Sequence, residues 1–189
     1  MQGIVLSEAA SRCLTEVDMR IFPYAMCESA YSIDYEYLWD RGYKGLIFDI
    51  DNTLTEHNEP ATDRARELFH RLKGIGFKSA VVSNNKEPRV RAFAESVGCE
   101  YVYKGRKPLR YGYDKALKKI KVTGSEAVAV GDQLFTDIWG ASNAGIKSIM
   151  VKRIASHEEI QIHLKRIPES VIVFIYRLFN KKRKVEELL

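Results

Sequence analysis

From residue 44 onward, short continuously apolar runs alternate with amphipathic stretches. The runs are Gly45–Asp49 (GLIFD), Phe77–Ser83 (FKSAVVS), Glu100–Tyr103, Ala127–Gly131 (AVAVG) and Lys147–Val151. Bounded by turn residues, they predict strands buried on both faces. Between them, apolar residues recur at i, i+3, i+4 and i+7, the spacing of one helical face. Ala65, Leu68, Phe69 and Leu72 form the first such face, ending near Gly74 and Gly76. Val90, Phe93, Ala94 and Val97 form a second that stops at Gly98, and Tyr113, Ala116, Leu117 and Ile120 a third. Strand–helix alternation of this kind implies right-handed crossovers and a mainly parallel sheet with helices on both faces. The expected fold is a Rossmann-like α/β three-layer sandwich.

Upstream, Asp34 is placed to cap a short helix through Leu38 and Trp39 that ends at Gly42. The first thirty residues read as a weak helix (Leu6, Ala10, Cys13, Leu14, Val17) and then a loop at Pro23. Near the other end, Val171, Phe174, Ile175 and Leu178 line one helical face, which Ile172, Val173, Tyr176 and Phe179 widen; the basic run Lys181–Lys184 follows. The expected division is an N-terminal helical extension (1–43), a catalytic core (44–155) and a basic amphipathic C-terminal helical segment (156–189).

At 189 residues and 46% hydrophobic content, the chain has enough apolar material for one core. No apolar run approaches the roughly 20 residues of a membrane-spanning helix. The N-terminus lacks the basic lead and long apolar core of a secretory signal, so a cytoplasmic location is expected. Cys13, Cys27 and Cys99 are widely spaced and form no CxxC, which argues against a zinc site or a disulfide framework. Nearly all of the +5 net charge sits beyond residue 151, where nine Lys/Arg oppose five Glu.

Ligands of open parallel sheets bind outside the carboxyl ends of the strands, so the polar residues there are the informative ones. Asp49, Asp51, Asn52 and Thr53 follow the first strand; Ser83, Asn84 and Asn85 follow the second. Lys107 follows the third, and Asp132 and Asp137 the fourth. Carboxylates gathered this closely call for a divalent cation, and Mg2+ takes hard oxygen ligands of this type. Asp49 and Asp132 are the natural ligands. A carboxylate also attacks phosphorus, splitting hydrolysis into two easier steps. Lys107 and Ser83 would hold the phosphoryl oxygens, and Asp51 would handle the proton of the leaving oxygen.

DIDNT (Asp49–Thr53), a strand ending in Ser83, Lys107-Pro108 and GDQLFTD (Gly131–Asp137) resemble, in order and spacing, the four motifs of the haloacid dehalogenase (HAD) superfamily. The wording FDIDNTL, VVSNN, RKPL and VGDQLFTDIWGASNAG is similar to subclass IIIA phosphatases of the YqeG type, whose relatives include phosphatidylglycerophosphate phosphatases. The resemblance covers residues 44–151. It implies a nucleophilic Asp49 and a general acid/base Asp51, which also offers its backbone carbonyl to the metal. It further implies an orienting role for Thr53, phosphoryl binding by Ser83 and Lys107, and metal ligation by Asp132 and, through water, by Asp137.

Neither Leu54–Gly76 nor Asn84–Arg106 is long enough to house a cap domain, so the site should stay open. That suits a bulky substrate, with phosphatidylglycerophosphate the leading expectation by resemblance and a soluble sugar or nucleotide phosphate the alternative. Asn84 and Asn85 are read as turn residues or substrate contacts, His57 as a loop residue or a substrate contact, and Arg106 and Arg110 as solvated or as contacts to a second phosphate. The apolar C-terminal segment with its basic flank fits a peripheral contact at the inner face of a membrane, or docking on the core or on a second copy of the chain. No aromatic–basic interleaving accompanies the tail, which argues against nucleic acid. A non-catalytic module binding RNA or an assembly partner is the other-class alternative, and an intact Asp51 speaks against it.

Overall fold

The structure is a computed structural model that describes residues 22–154. Six parallel strands form one sheet in the order β1-β6-β5-β2-β3-β4, running β1 (Ala25–Cys27), β2 (Gly45–Phe48), β3 (Lys78–Val82), β4 (Glu100–Val102), β5 (Ala127–Gly131) and β6 (Lys147–Val151). Five α-helices connect them among the described residues: α1 (Tyr35–Asp40), α2 (Asp63–Ile75), α3 (Glu87–Val97), α4 (Tyr111–Ile120) and α5 (Trp139–Asn143). This is the Rossmann-like sandwich expected from the alternating pattern. Only a loop and α2 separate β2 from β3, and no cap domain interrupts the described residues.

The helices form where the sequence places their signals. Asp34 caps α1 by accepting the Tyr37 N–H, and Thr62 caps α2 by accepting the Ala65 N–H. Gly76 ends α2 at φ 115, a conformation that costs glycine little and other residues much. The helical faces read from spacing point inward: Ala65, Leu68, Phe69 and Leu72 are buried, as are Val90, Phe93 and Ala94, and Tyr113, Ala116 and Ile120. Along each strand alternate residues serve opposite faces, so β2 sends Leu46 and Phe48 into one core and Ile47 into the other.

The sheet begins earlier than the boundary expected at residue 44. Residues 25–27, expected in a loop after Pro23, form β1 and pair with Ile149–Val151 of β6. Three residues are too few for an alternation pattern to announce a strand, and α1 and Tyr43 also belong to the central core. The helices expected from the sequence in the first residues and in the C-terminal segment lie outside the described residues.

Candidate active site

Asp49 and Asp132 leave the sheet side by side. Their strands are neighbours in register, Phe48 opposite Val130, and the Asp49 N–H donates to the Val130 carbonyl at 2.9 Å. Beyond Asp49 the chain turns through Asn52 at φ 65, a left-handed conformation that asparagine tolerates, and the Asn52 N–H donates to Thr55 O at 2.6 Å. Ser83 stands one residue past β3, and Lys107 enters from the loop after β4.

Carboxylate oxygens of Asp49, Asp132 and Asp137 lie within 4.8 Å of one another. The Lys107 Nζ sits among them, 2.5 Å from Asp49 Oδ1 and 2.6 Å from Asp137 Oδ1. None of the four residues is more than 9% exposed, so their charges act on each other with little screening by water. Two local features bring Asp137 in. A π-turn at Leu134–Ile138 re-aims the chain after β5, as such turns do at many functional sites. Gly131 leaves room for the carboxylate, because a Cβ there would stand 2.4 Å from Asp137 Cβ. The Asp137 Oδ2 then accepts the Gln133 N–H at 3.0 Å, and the Tyr113 hydroxyl donates to the Asp137 carbonyl at 3.0 Å.

Burial sets the electrostatics. It pushes the Asp49 carboxyl up to about 8; Lys107 opposes the rise, while Asp137 and Asp132 add to it. Burial, reinforced by Asp137, likewise lifts Asp132 to about 6 against the pull of Arg153. Burial disfavours the Lys107 ammonium, but Asp137 and Asp49 outweigh it and hold its pKa well above the ordinary lysine value. Arg153 Nε pairs with Asp132 Oδ2 at 2.6 Å. Ionised together, the three carboxylates would outnumber the two cationic side chains that face them, Lys107 and Arg153. An all-oxygen donor set held this close fits a divalent cation, whose charge would offset the burial and the mutual repulsion that raise Asp49 and Asp132.

Asp51 occupies a separate hydrogen-bond cradle. Its carboxylate accepts the Asn58 N–H at 2.8 Å, Asn85 Nδ2 at 2.7 Å and Arg89 Nη2 at 3.1 Å, with His57 Nδ1 at 3.9 Å. The Thr53 hydroxyl, which the family resemblance assigned to Asp51, instead donates to Asp132 Oδ1 at 3.3 Å. Ser83 Oγ accepts the Asn85 N–H at 3.1 Å. Both ends of the Asn84 amide are taken by the Lys107 main chain: Oδ1 accepts its N–H at 2.8 Å and Nδ2 donates to its carbonyl at 3.2 Å. Asn84, expected at the substrate, thus holds the Lys107 loop. Arg110 pairs with Asp114, and Arg106 lies over the Tyr111 ring.

Arg89 and Arg153 were missed as site residues in the sequence. Arg153 lies two residues past β6, on the same sheet edge as the acids. Arg89 sits in the first turn of α3, and helical side chains lean toward the helix N-terminus, which here faces that edge. Strand-end position and helix direction were therefore the available signals.

A buried carboxylate trio with a lysine among them thus lies at the carboxyl edge of a parallel sheet that no cap domain interrupts among the described residues. Residues 56–145 match the family described as "Hydrolase: haloacid dehalogenase-like hydrolase". The chain is 38% identical over 137 residues to "Probable phosphatase YqeG" of Bacillus subtilis, covering 72% of this chain and 80% of that protein. It is 28% identical to a "Glyceraldehyde 3-phosphate phosphatase" of Pyrococcus furiosus over 84% of this chain and 69% of that one. To "Phosphatidylglycerophosphate phosphatase 1, chloroplastic/mitochondrial" of Arabidopsis thaliana it is 25% identical, over 74% of this chain and 43% of the longer protein. The chain belongs to the haloacid dehalogenase-like hydrolases and is a phosphatase, a phosphoric monoester hydrolase.

Proposed function

We propose that the chain hydrolyses a phosphomonoester through a phospho-Asp49 intermediate with Mg2+, and that its substrate is phosphatidylglycerophosphate. The observation that carries this reading is the cluster in which Lys107 Nζ lies 2.5 Å from Asp49 Oδ1 beside the carboxylates of Asp132 and Asp137. An Asp49 oxygen attacks phosphorus as the bond to the leaving oxygen breaks, and Asp51 donates the proton that oxygen needs. Water then attacks the phospho-aspartate, Asp51 takes a proton from it, and inorganic phosphate departs. The Lys107 ammonium and the Ser83 hydroxyl bind the phosphoryl oxygens, and Asn84 keeps the lysine loop in place. Asp49, Asp132, Asp137 and the Asp51 carbonyl would hold Mg2+, which supplies charge neutralisation for the phosphoryl oxygens when bound.

The open edge of the sheet supports a bulky substrate, as does the likeness to the Arabidopsis enzyme. The Pyrococcus relative favours a second reading, a small soluble sugar phosphate. No helix of the described residues is long and apolar enough to cross a membrane. Purified full-length protein, assayed for phosphate release, should prefer phosphatidylglycerophosphate over glyceraldehyde 3-phosphate, lose activity in EDTA and regain it with Mg2+. Preference for the sugar phosphate would overturn the lipid reading, and full activity in EDTA would overturn the metal requirement.

A further inference from the structure

The exposed large hydrophobic side chains of the described residues are Tyr103, Leu109, Tyr111, Trp139 and Ile154. All five lie on one edge of the molecule. Tyr103 follows β4, Leu109 stands two residues past Lys107, Tyr111 opens α4, Trp139 follows the π-turn, and Ile154 stands three residues past β6. That is the carboxyl edge of the sheet, where the active site opens. The opposite edge exposes no large hydrophobic among the described residues.

Contacts tie these residues to the site. Gly140, next to Trp139, is packed so closely on Pro108 that a Cβ would stand 3.3 Å from the proline Cα. Leu109 is the residue after that proline and is 60% exposed, far more than a leucine needs for any contact within the fold. Ile154 is anchored by its N–H to Asn52 O at 3.0 Å, beside Asp51. The charge on the same loops has one sign. Residues 103–111 carry no acid; Lys107 is taken by Asp49 and Asp137 and Arg110 by Asp114, while Lys104 and Arg106 are exposed and enter no ion pair with an acid among the described residues. Aromatic and aliphatic side chains interleaved with cations are the composition that settles at the boundary between lipid headgroups and acyl chains.

We infer that the rim formed by Tyr103, Leu109, Tyr111, Trp139 and Ile154, with Lys104 and Arg106 between them, docks the active-site edge onto an anionic lipid bilayer. The inference rests on the lipid-phosphate reading and names the surface through which that reading operates. Docked in this way, the open site faces the headgroups, and a phosphomonoester reaches Asp49 without the lipid leaving the membrane. Lys104 and Arg106 select anionic over neutral surfaces, and the apolar side chains supply the hold that survives salt.

Flotation of the full-length protein with vesicles of phosphatidylcholine mixed with phosphatidylglycerol, and with phosphatidylcholine alone, tests the surface without any substrate. The wild type should float with the anionic vesicles. A Tyr103→Glu/Leu109→Glu variant should bind about tenfold more weakly or worse, since burying one leucine-sized side chain is worth about that factor. Lys104→Glu should weaken binding a few-fold at low salt, and added salt should erase that difference. Both variants should keep wild-type melting temperature and turnover of p-nitrophenyl phosphate. Wild-type protein that fails to float, or variants that float as it does, would overturn the inference. So would a wild-type dimer that the double variant splits, because the rim would then join two copies of the chain. Flotation lost in the variant, with no hydrolysis of phosphatidylglycerophosphate by the wild type, would uphold the docking surface and sink the substrate reading. Hydrolysis in detergent micelles without flotation would do the reverse.

Discussion

The two faces of the sheet are built from different residues. On one, α1, α2 and α3 pack through rings: Tyr35, Phe48, Phe69, Phe77 and Phe93 are buried, with Phe48 and Phe69 centroids 5.3 Å apart. On the other, α4 and α5 lie over a surface rich in alanine, with Ala80, Ala127 and Ala129 from the sheet meeting Ala116 and Ala141. The small-residue face is also the one that carries the Lys107 loop. Gly112 in α4 lies so near that loop that a Cβ would stand 2.6 Å from Gly105 O. Bulk on one side supplies apolar burial and hence stability. Small residues on the other let helices approach the sheet closely enough to deliver a lysine into a carboxylate trio.

Substitutions at the shared edge and on each face should separate these roles. Asp49→Asn should lower phosphatase turnover by about four orders of magnitude or more, the scale on which loss of a nucleophile acts, while leaving the fold intact. Residual turnover near wild type would remove Asp49 from the chemistry. Phe69→Ala, on the ring-packed face, should cost about 3–5 kcal/mol in urea unfolding. The protein that remains folded should keep its kcat, and a large fall in kcat would show that this face also positions the site. Gly112→Ala should show the opposite profile. Overpacking there costs about 1–3 kcal/mol. The displaced Lys107 should lower kcat by about 100-fold, a plausible penalty for a misplacement near 1 Å. Equal kcat in both proteins would refute the division of labour.

A further test concerns the pH dependence of stability in metal-free protein. Burial raises Asp49 to about 8 from an ordinary carboxylate value of about 4, so its ionisation is harder in the folded chain than in the unfolded one. The stability tied to its protonated form is complete below about pH 4 and declines as pH rises toward 8. Asp49→Asn removes that decline. In EDTA the melting temperature of the variant should rise relative to that of wild type as pH goes from 4 to 8. A constant gap across that range would contradict the raised value.

Much of this was legible in the sequence because each signal was local. The apolar runs of β2, β3, β5 and β6, the helical spacing of α2, α3 and α4, and the caps at Asp34 and Gly76 each sit within one short window. That Asp49, Lys107, Asp132 and Asp137 come together was legible because strand ends of a parallel sheet converge. What escaped depended on partners distant in sequence. Residues 25–27 become a strand only because β6, more than a hundred residues later, supplies the pairing. Arg153 reaches Asp132, and Arg89 reaches Asp51, from elements whose sequence names neither partner. Thr53 and Asn84 do adjoin the site, but which of its residues they bond, Asp132 and the Lys107 main chain, is fixed by loop geometry.

Both border strands of the sheet, β1 and β4, are only three residues long. A border that short leaves few free amide donors and carbonyl acceptors for a foreign strand to zip onto, so the sheet is poorly suited to growing sideways into aggregates. The longer, stickier strands are enclosed in the middle, and a protein whose working edge is greasy keeps its flanks inert.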